Sequence, residues 1–436
     1  MAKVVAVDFI PASSFRTSTA YAFLLAATLL LGFGLRLHFF DSNIARSPDE
    51  ATYARQEQVL RAQGTAGFHF MGTEFDQNPV VMARQPSPAR IGYLGLLALY
   101  MQVSGDTSDL AGAQLSLLCS LAALGLIAFI AYRALSPLIA LMATLFYAVL
   151  PFDLVTSRRA WQDSVIACVA LAIFGLAVAV ARASPRRRTV LCIAFALFGV
   201  FAIATKENLA IFFLFCAAGL ILHFLIQKDR SAALLTSACV ALAGITAFAV
   251  LASLFGGPAH YLNLVRGYAH LSGNGAYDQQ FNSGPFWMFA VGFFRASPVL
   301  CLAAVIGLGV PMARLFRSRN LRNFDIATAI AILTCCMLLL QVVTTRYNYR
   351  YSAPIYGTLC LLGGIGMETV LMSLAKLLAP LGRSVAWAIL GFAVAVAGLR
   401  DFNFARDVLL PTGIQDLALR TVAGFPPAPL PSSDAR

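Results

Sequence analysis

The chain has 436 residues, 59% of them hydrophobic and only 12% charged, with a mean hydropathy of +0.76. A sequence this apolar cannot be mostly the outside of a soluble protein, so it reads as an all-α polytopic membrane protein. The formal net charge of +12 and pI of about 9.5 could suggest a polyanionic partner, but in such a chain the charge of each connector has to be read first.

Apolar stretches of roughly the 20 residues that a spanning helix needs fall near 19–40, 110–132, 136–153, 162–182, 189–205, 209–227, 232–255, 286–312, 326–344, 352–375 and 385–399. They predict about eleven transmembrane helices in a domain covering 1–399, with a tail over 400–436. Just after the first stretch comes Ser47-Pro48-Asp49-Glu50. Ser47 can accept from the backbone N–H three residues on, Pro48 suits the first helical position, and Glu50 completes a capping box. Asp49 has no part in that cap. The first loop, about 41–109, also contains ARIGYLGLLALYMQV at 89–103, which is too short to span and reads as an interfacial helix. A second loop covers 256–285, and the tail that runs from Arg400 to the Pro-rich end FPPAPLPSSDAR is expected to be disordered. No cleavable leader is expected ahead of the first span, and no internal repeat stands out.

With the N-terminus placed in the cytoplasm, 15 of the 32 Lys and Arg fall on the cytoplasmic side, Lys3, Arg16, Arg319 and Arg322 among them. Only Asp8, Asp229 and Asp325 accompany them, so the positive charge follows membrane orientation and no nucleic-acid partner is needed. The expected location is a bacterial inner membrane with the loops extracytoplasmic. All nine cysteines sit within spans and read as packing residues rather than a disulfide framework. The five histidines show no metal-ligand spacing.

The extracytoplasmic connectors carry Asp49 and Glu50, Arg84 and Arg90, Arg158, Arg159 and Asp163, Lys206 and Glu207, and Arg346 and Arg350. Charges at span ends on the translocated side are expensive to keep without a task. Basic groups at headgroup level suit a phosphate, and carboxylates beside them suit proton abstraction. Arg158 and Arg159 can alternatively snorkel to headgroups. Lys206, in a connector of a few residues, runs against the positive-inside pattern. Arg295 is either a charge buried in the eighth span or a sign that the span is begun too early.

The order Asp49-Glu50, then Arg90-Ile91-Gly92-Tyr93, Ser157-Arg158 with Asp163, Thr205-Lys206, and Arg350-Tyr351 with Pro354 resembles the C-type (GT-C) membrane glycosyltransferases. It is most similar to the branch with protein O-mannosyltransferases and the lipid A aminoarabinose transferase, over roughly 19–375. The resemblance implies sugar transfer from a polyprenyl-phosphate-linked donor, on the non-cytoplasmic face, to a glycan, lipid or protein acceptor. It implies Asp49 as catalytic base and Asp163 as shaping the site, with Arg90, Lys206 and Arg350 on the lipid phosphate, beside Arg158 and Tyr351 of the same motifs. Glu50 stays open between capping residue and second catalytic carboxylate. One inverting displacement is the expected chemistry.

Some members of that family carry Glu-Lys-Pro-Pro or His-Pro-Pro in the first loop, linked in certain cases with metal binding. This chain has Arg84-Gln85-Pro86-Ser87-Pro88 there. No cofactor is therefore implied, and a divalent metal remains an alternative to neutralisation of the phosphate by basic side chains. The polar loop LSGNGAYDQQFNSGPFW suits sugar or acceptor contacts. The competing class is a transporter or flippase of a lipid-linked sugar, which predicts inverted repeats and charges near the bilayer midplane rather than at one face.

Overall fold

The computed structural model describes residues 19–40, 47–82, 85–271, 276–318, 325–343, 348–377, 383–410 and 417–428. Lys3, Asp8, Arg16, Arg84, Arg319, Arg322 and Arg346 lie outside the described residues. α1 (Thr19–Phe39) leads into the helices of the first loop: α2 (Pro48–Gln63), α3 (Ala66–Gln77), α4 (Pro79–Met82) and α5 (Ile91–Ser104). Next come α6 (Ala111–Ala134), α7 (Pro137–Ala148), α8 (Pro151–Thr156), α9 (Asp163–Arg182), α10 (Pro185–Thr205), α11 (Glu207–Ile226) and α12 (Arg230–Leu254). The second loop folds as α13 (Pro258–Leu271) and α14 (Ala276–Phe281). The chain continues with α15 (Trp287–Ala296), α16 (Pro298–Ser318), α17 (Ile326–Val343), a 3-10 turn (Tyr349–Ile355), α18 (Tyr356–Leu377), α19 (Arg383–Phe404) and α20 (Leu419–Ala423). Among the described residues, eight helices are long and apolar enough to cross a bilayer. The other three predicted stretches are also helical, as α7, α17 and α19.

Proline accounts for two departures from the predicted spans, because it has no N–H to donate and its ring clashes with the preceding turn. The stretch 136–153 breaks before Pro151, and 286–312 breaks at Ser297-Pro298. Arg295 therefore lies in the last turn of α15, and the eighth span begins later than its hydropathy suggests. Its guanidinium sits 5.8 Å from the Phe404 ring centroid.

The break before Pro151 ends the hydrogen-bond ladder of α7, and an arginine from α1 reaches its last two carbonyls, of which Tyr147 O also accepts from Leu150 N at 3.3 Å. Arg36 Nη2 donates to the Tyr147 carbonyl at 3.0 Å and Nη1 to that of Ala148 at 3.1 Å. Its other bonds go to Gly32 O (2.9 Å), Ser120 Oγ (2.5 Å) and Asp153 Oδ2 (2.5 Å), so all the guanidinium donors are used. Asp153 also accepts from Tyr147 Oη at 2.9 Å. Arg36 and Asp153 are both 0% exposed. This pair joins α1, α6, α7 and α8 inside the bundle, and no sequence motif marked it.

At the opposite ends of the helices, charged side chains close the short connectors. Arg182 donates to the carbonyls of Arg133 and Ala134 at 3.1 and 2.8 Å, capping α6. Asp229 caps α12 through Ala232 N (3.0 Å) and pairs with Arg188 at 2.6 Å.

The reading of a disordered tail from Arg400 does not hold for the described part. α19 continues through a π turn (Ala405–Leu409), and α20 packs on α15. Leu417, Ala418, Leu419 and Val422 are buried. Each Leu or Val buried in this way contributes about 1.5–3 kcal/mol, and that is what the compositional reading overlooked. The Pro-rich end beyond 428 lies outside the described residues.

Candidate functional site

α2 starts as its sequence dictates. Ser47 Oγ accepts from Glu50 N at 3.4 Å, and Glu50 Oε2 accepts from Ser47 N at 2.7 Å, which completes the capping box with Pro48 in the first turn. Glu50 is further held by Ala160 N (2.8 Å) and Arg159 Nη1 (3.3 Å), and is buried. A carboxylate with these partners ties α2 to the α8–α9 connector. Trp161 Nε1 donates to Ser47 Oγ at 2.9 Å and strengthens the same joint.

The cap leaves Asp49 at the rim. Its Oδ2 lies 2.7 Å from Arg350 Nη1, and its side chain is 35% exposed. Arg350 comes from the 3-10 turn, and its Nε lies 2.7 Å from Oδ2 of Asp163, the fully buried first residue of α9. The other oxygen of Asp163 is 3.4 Å from Lys206 Nζ. Lys206 is the one-residue connector between α10 and α11, and its ammonium lies 5.0 Å from the Tyr351 ring centroid. Burial pushes Lys206 down to about 8, against the opposing pull of Asp163. Four charges distant in sequence thus form one chain, Asp49–Arg350–Asp163–Lys206, at a single end of the bundle.

Arg90 joins from the start of α5, donating through Nη1 to Tyr53 Oη at 2.8 Å. Tyr53 is one helical turn past Asp49, and burial is the main reason its phenol is pushed up to about 12. Among the described residues, Arg90 Nε is buried without a hydrogen-bond partner, as is Asn208 Oδ1 in the first turn of α11. Asn208 Nδ2 donates to the Tyr351 carbonyl at 2.9 Å. A buried cationic N–H with no acceptor is costly, so the site is short of an anion or another acceptor.

Arg158 donates to the Leu410 carbonyl at 3.0 Å and is buried, so it does not snorkel. Trp161, Tyr53 and Asn208 belong to the site although the sequence did not single them out. Trp161 lies under Arg350, whose Cζ is 4.0 Å from the ring centroid. Spacing was the available signal, since Tyr53 is four residues from Asp49 and Trp161 two from Asp163. In the second loop, Tyr268 Oη donates to the Met82 carbonyl at 3.0 Å and the ring stacks on Phe75, which serves packing between the loops.

The glycine of Arg90-Ile91-Gly92-Tyr93 has a steric reason. A Cβ on Gly92 would collide with Thr205 Oγ1, so the missing side chain lets α5 lie against the residue preceding Lys206. Gly92→Val is expected to cost about 1–3 kcal/mol through overpacking, read as a lowered melting temperature of the purified protein.

Among the described residues, no group of three or more His, Cys, Asp or Glu side chains is placed to hold a metal ion. Asp49 and Asp163 both face Arg350, which leaves the donor set of the site poorly suited to one.

No family model and no curated protein matches the sequence. Solved structures do match. ArnT from Cupriavidus metallidurans bound to undecaprenyl phosphate aligns over 94% of this chain and 75% of its own, with 18% identity and a TM-score of 0.54. The archaeal oligosaccharyltransferase AglB from Archaeoglobus fulgidus, in complex with an inhibitory peptide and a dolichol-phosphate, aligns over 92% of this chain with 12% identity and a TM-score of 0.61. The alignment covers 56% of the AglB chain, so this protein spans little more than half of that length. A further structure of the Archaeoglobus enzyme, complexed with Zn and sulfate, aligns over 91% of this chain and 53% of its own, with 12% identity and a TM-score of 0.55. At these identities the likeness is one of architecture: the chain is an integral membrane protein built on the GT-C fold of membrane glycosyltransferases.

Proposed function

We propose that the protein transfers a sugar from a polyprenyl-phosphate-linked donor to a hydroxyl-bearing glycan, lipid or protein on the extracytoplasmic face of a bacterial inner membrane. The observation that carries this reading is the access of the carboxylates. Glu50 and Asp163 are buried and bonded, whereas Asp49 reaches solvent beside Arg350, which also meets Asp163. The GT-C fold supports it, because ArnT is solved with undecaprenyl phosphate and AglB with dolichol-phosphate.

In the reaction, the acceptor oxygen attacks the anomeric carbon as the bond from that carbon to the phosphate oxygen breaks. The hydroxyl proton passes to Asp49, and the polyprenyl phosphate leaves with the electron pair of the broken bond. Arg90, Lys206 and Arg350 stabilise charge growing on that phosphate. A single displacement inverts the anomeric centre. Phosphate drawn onto Arg350 also loosens its pairing with Asp49, so donor binding frees the base. Neutralisation needs no metal on this account, since the basic side chains supply it.

The test uses protein purified into liposomes, a panel of polyprenyl-phosphate sugars and candidate acceptors, and mass spectrometry of the lipid. Release of unglycosylated polyprenyl phosphate is the expected result. Unreacted lipid-linked sugar crossing the bilayer would instead show a transporter. A pH titration adds a sharper expectation. Lys206 is charged below about 8 and neutral above it, so affinity for undecaprenyl phosphate should fall as pH rises through 8. Asp163, Arg90, Arg350 and Glu207 all act on Lys206 electrostatically. Lys206→Arg, always protonated, should remove that fall.

A further inference from the structure

The 3-10 turn that carries Arg350 is held largely by residues outside it. The Tyr349 ring lies nearly parallel to those of Phe152 and Phe289, at 5.1 and 5.0 Å, and its hydroxyl donates to the Phe289 carbonyl at 3.0 Å. The Tyr349 carbonyl accepts from Tyr356 Oη at 2.8 Å, and the Tyr351 carbonyl from Asn208. The Tyr349 N–H is among the first of the turn, where the turn itself supplies no acceptor. It donates to the carbonyl of Leu417 at 3.1 Å, 68 residues further along the sequence. Tyr349 is fully buried, so without Leu417 this donor would be an unpaired buried N–H next to Arg350.

The segment that supplies Leu417 is itself docked. Leu419 N donates to Asn282 Oδ1 at 3.4 Å, Arg420 Nη1 to the Ser283 carbonyl at 3.3 Å, and Ala428 N to the Gln280 carbonyl at 2.8 Å. Arg295 Nη1 donates to the Val422 carbonyl at 3.4 Å. Gly424 turns the chain with φ of 80°, and a Cβ there would strike Arg295 Nη1.

We infer that residues 417–428 are a positioning element of the phosphate site: through the Leu417 carbonyl and Tyr349 they fix the turn that aims Arg350 between Asp49 and Asp163. This rests on the reading of Arg350 as a ligand of the lipid phosphate. Arg350 has to meet two carboxylates within 2.7 Å each, and a displacement of about 1 Å is enough to cost such a site much of its function. The segment touches the reaction only through Arg350, so it acts on affinity and rate without contributing a catalytic group.

The test compares the full chain with a chain ending at Leu410, each titrated with undecaprenyl phosphate and melted in detergent. The shortened chain is expected to keep a cooperative melt while its Kd rises about tenfold, equivalent to about 1.4 kcal/mol. A synthetic peptide of residues 411–436 added in trans should restore affinity, which a general loss of stability would not allow. If the shortened chain does not fold, the full-length Gly424→Val variant decides, with a smaller rise in Kd expected. Unchanged Kd in a folded shortened chain, or in Gly424→Val when that variant decides, overturns the inference. A full-length protein that binds no undecaprenyl phosphate overturns the proposed function itself, and this inference with it.

Discussion

An Asp49→Asn variant is expected to lose about 10²–10⁴-fold in kcat, the usual contribution of a positioned general base, while its affinity for the lipid phosphate stays the same or rises. The two readouts separate because Asp49 and the phosphate compete for Arg350. Removing the carboxylate charge removes the base and a competitor together, and the amide oxygen of Asn can still accept from Arg350 Nη1 at the 2.7 Å now seen. Arg350→Ala should behave differently, with weaker phosphate binding and slower transfer together. Asp163 and Glu50 are poorly placed to take over the proton, since Asp163 is fully buried between Arg350 and Lys206, and Glu50 is buried under Arg159 and Ala160. Single-turnover rates and equilibrium titration with undecaprenyl phosphate provide the check. An Asp49→Asn enzyme within tenfold of the native rate would remove Asp49 from the role of base.

The largest stability effect is expected at Arg36, away from the proposed chemistry. Arg36→Met leaves Asp153 at 0% exposure without its cation and takes from the Ala148 carbonyl its arginine donor, while Tyr147 O keeps the Leu150 N–H. Breaking one side of a buried pair costs about 3–5 kcal/mol. The double variant Arg36→Met with Asp153→Leu should recover part of that loss, because the uncompensated charge is gone while the Ala148 carbonyl still lacks its arginine donor. Unfolding of the single and double variants in detergent measures both. A double variant no more stable than Arg36→Met would mean that the carbonyl cap, rather than the ion pair, dominates.

What was legible in the sequence depended on range. Span positions follow from local hydropathy, and the capping box from a four-residue pattern, so both could be read directly. The ends of spans were blurred wherever a proline interrupted an apolar run, as at Pro151 and Pro298, because hydropathy does not register a missing N–H. The charged site residues were visible as charges in the wrong place for a membrane protein. Their pairing was not visible: Arg350 meets Asp49 across 301 positions and Asp163 across 187, distances over which no periodicity speaks. Glu50 was ambiguous for the opposite reason, since a capping glutamate and a catalytic one look alike in a four-residue pattern, and only the fold brings Arg159 and the Ala160 N–H onto it. The docking of 417–423 was missed because composition marks disorder well only where no apolar partner waits.

The Arg36–Asp153 pair also sets an order of events during synthesis. The two residues are 117 positions apart, so at about 5–20 residues per second the arginine leaves the ribosome on the order of 6–23 s before its carboxylate does. During that interval α1 has to enter the bilayer with an uncompensated guanidinium. The position of Arg36, three residues from the end of the helix, lets the side chain reach the headgroup region and wait there. Arrival of α7 and α8 then draws it inward, so the first helix of the protein is among those whose final depth is settled late.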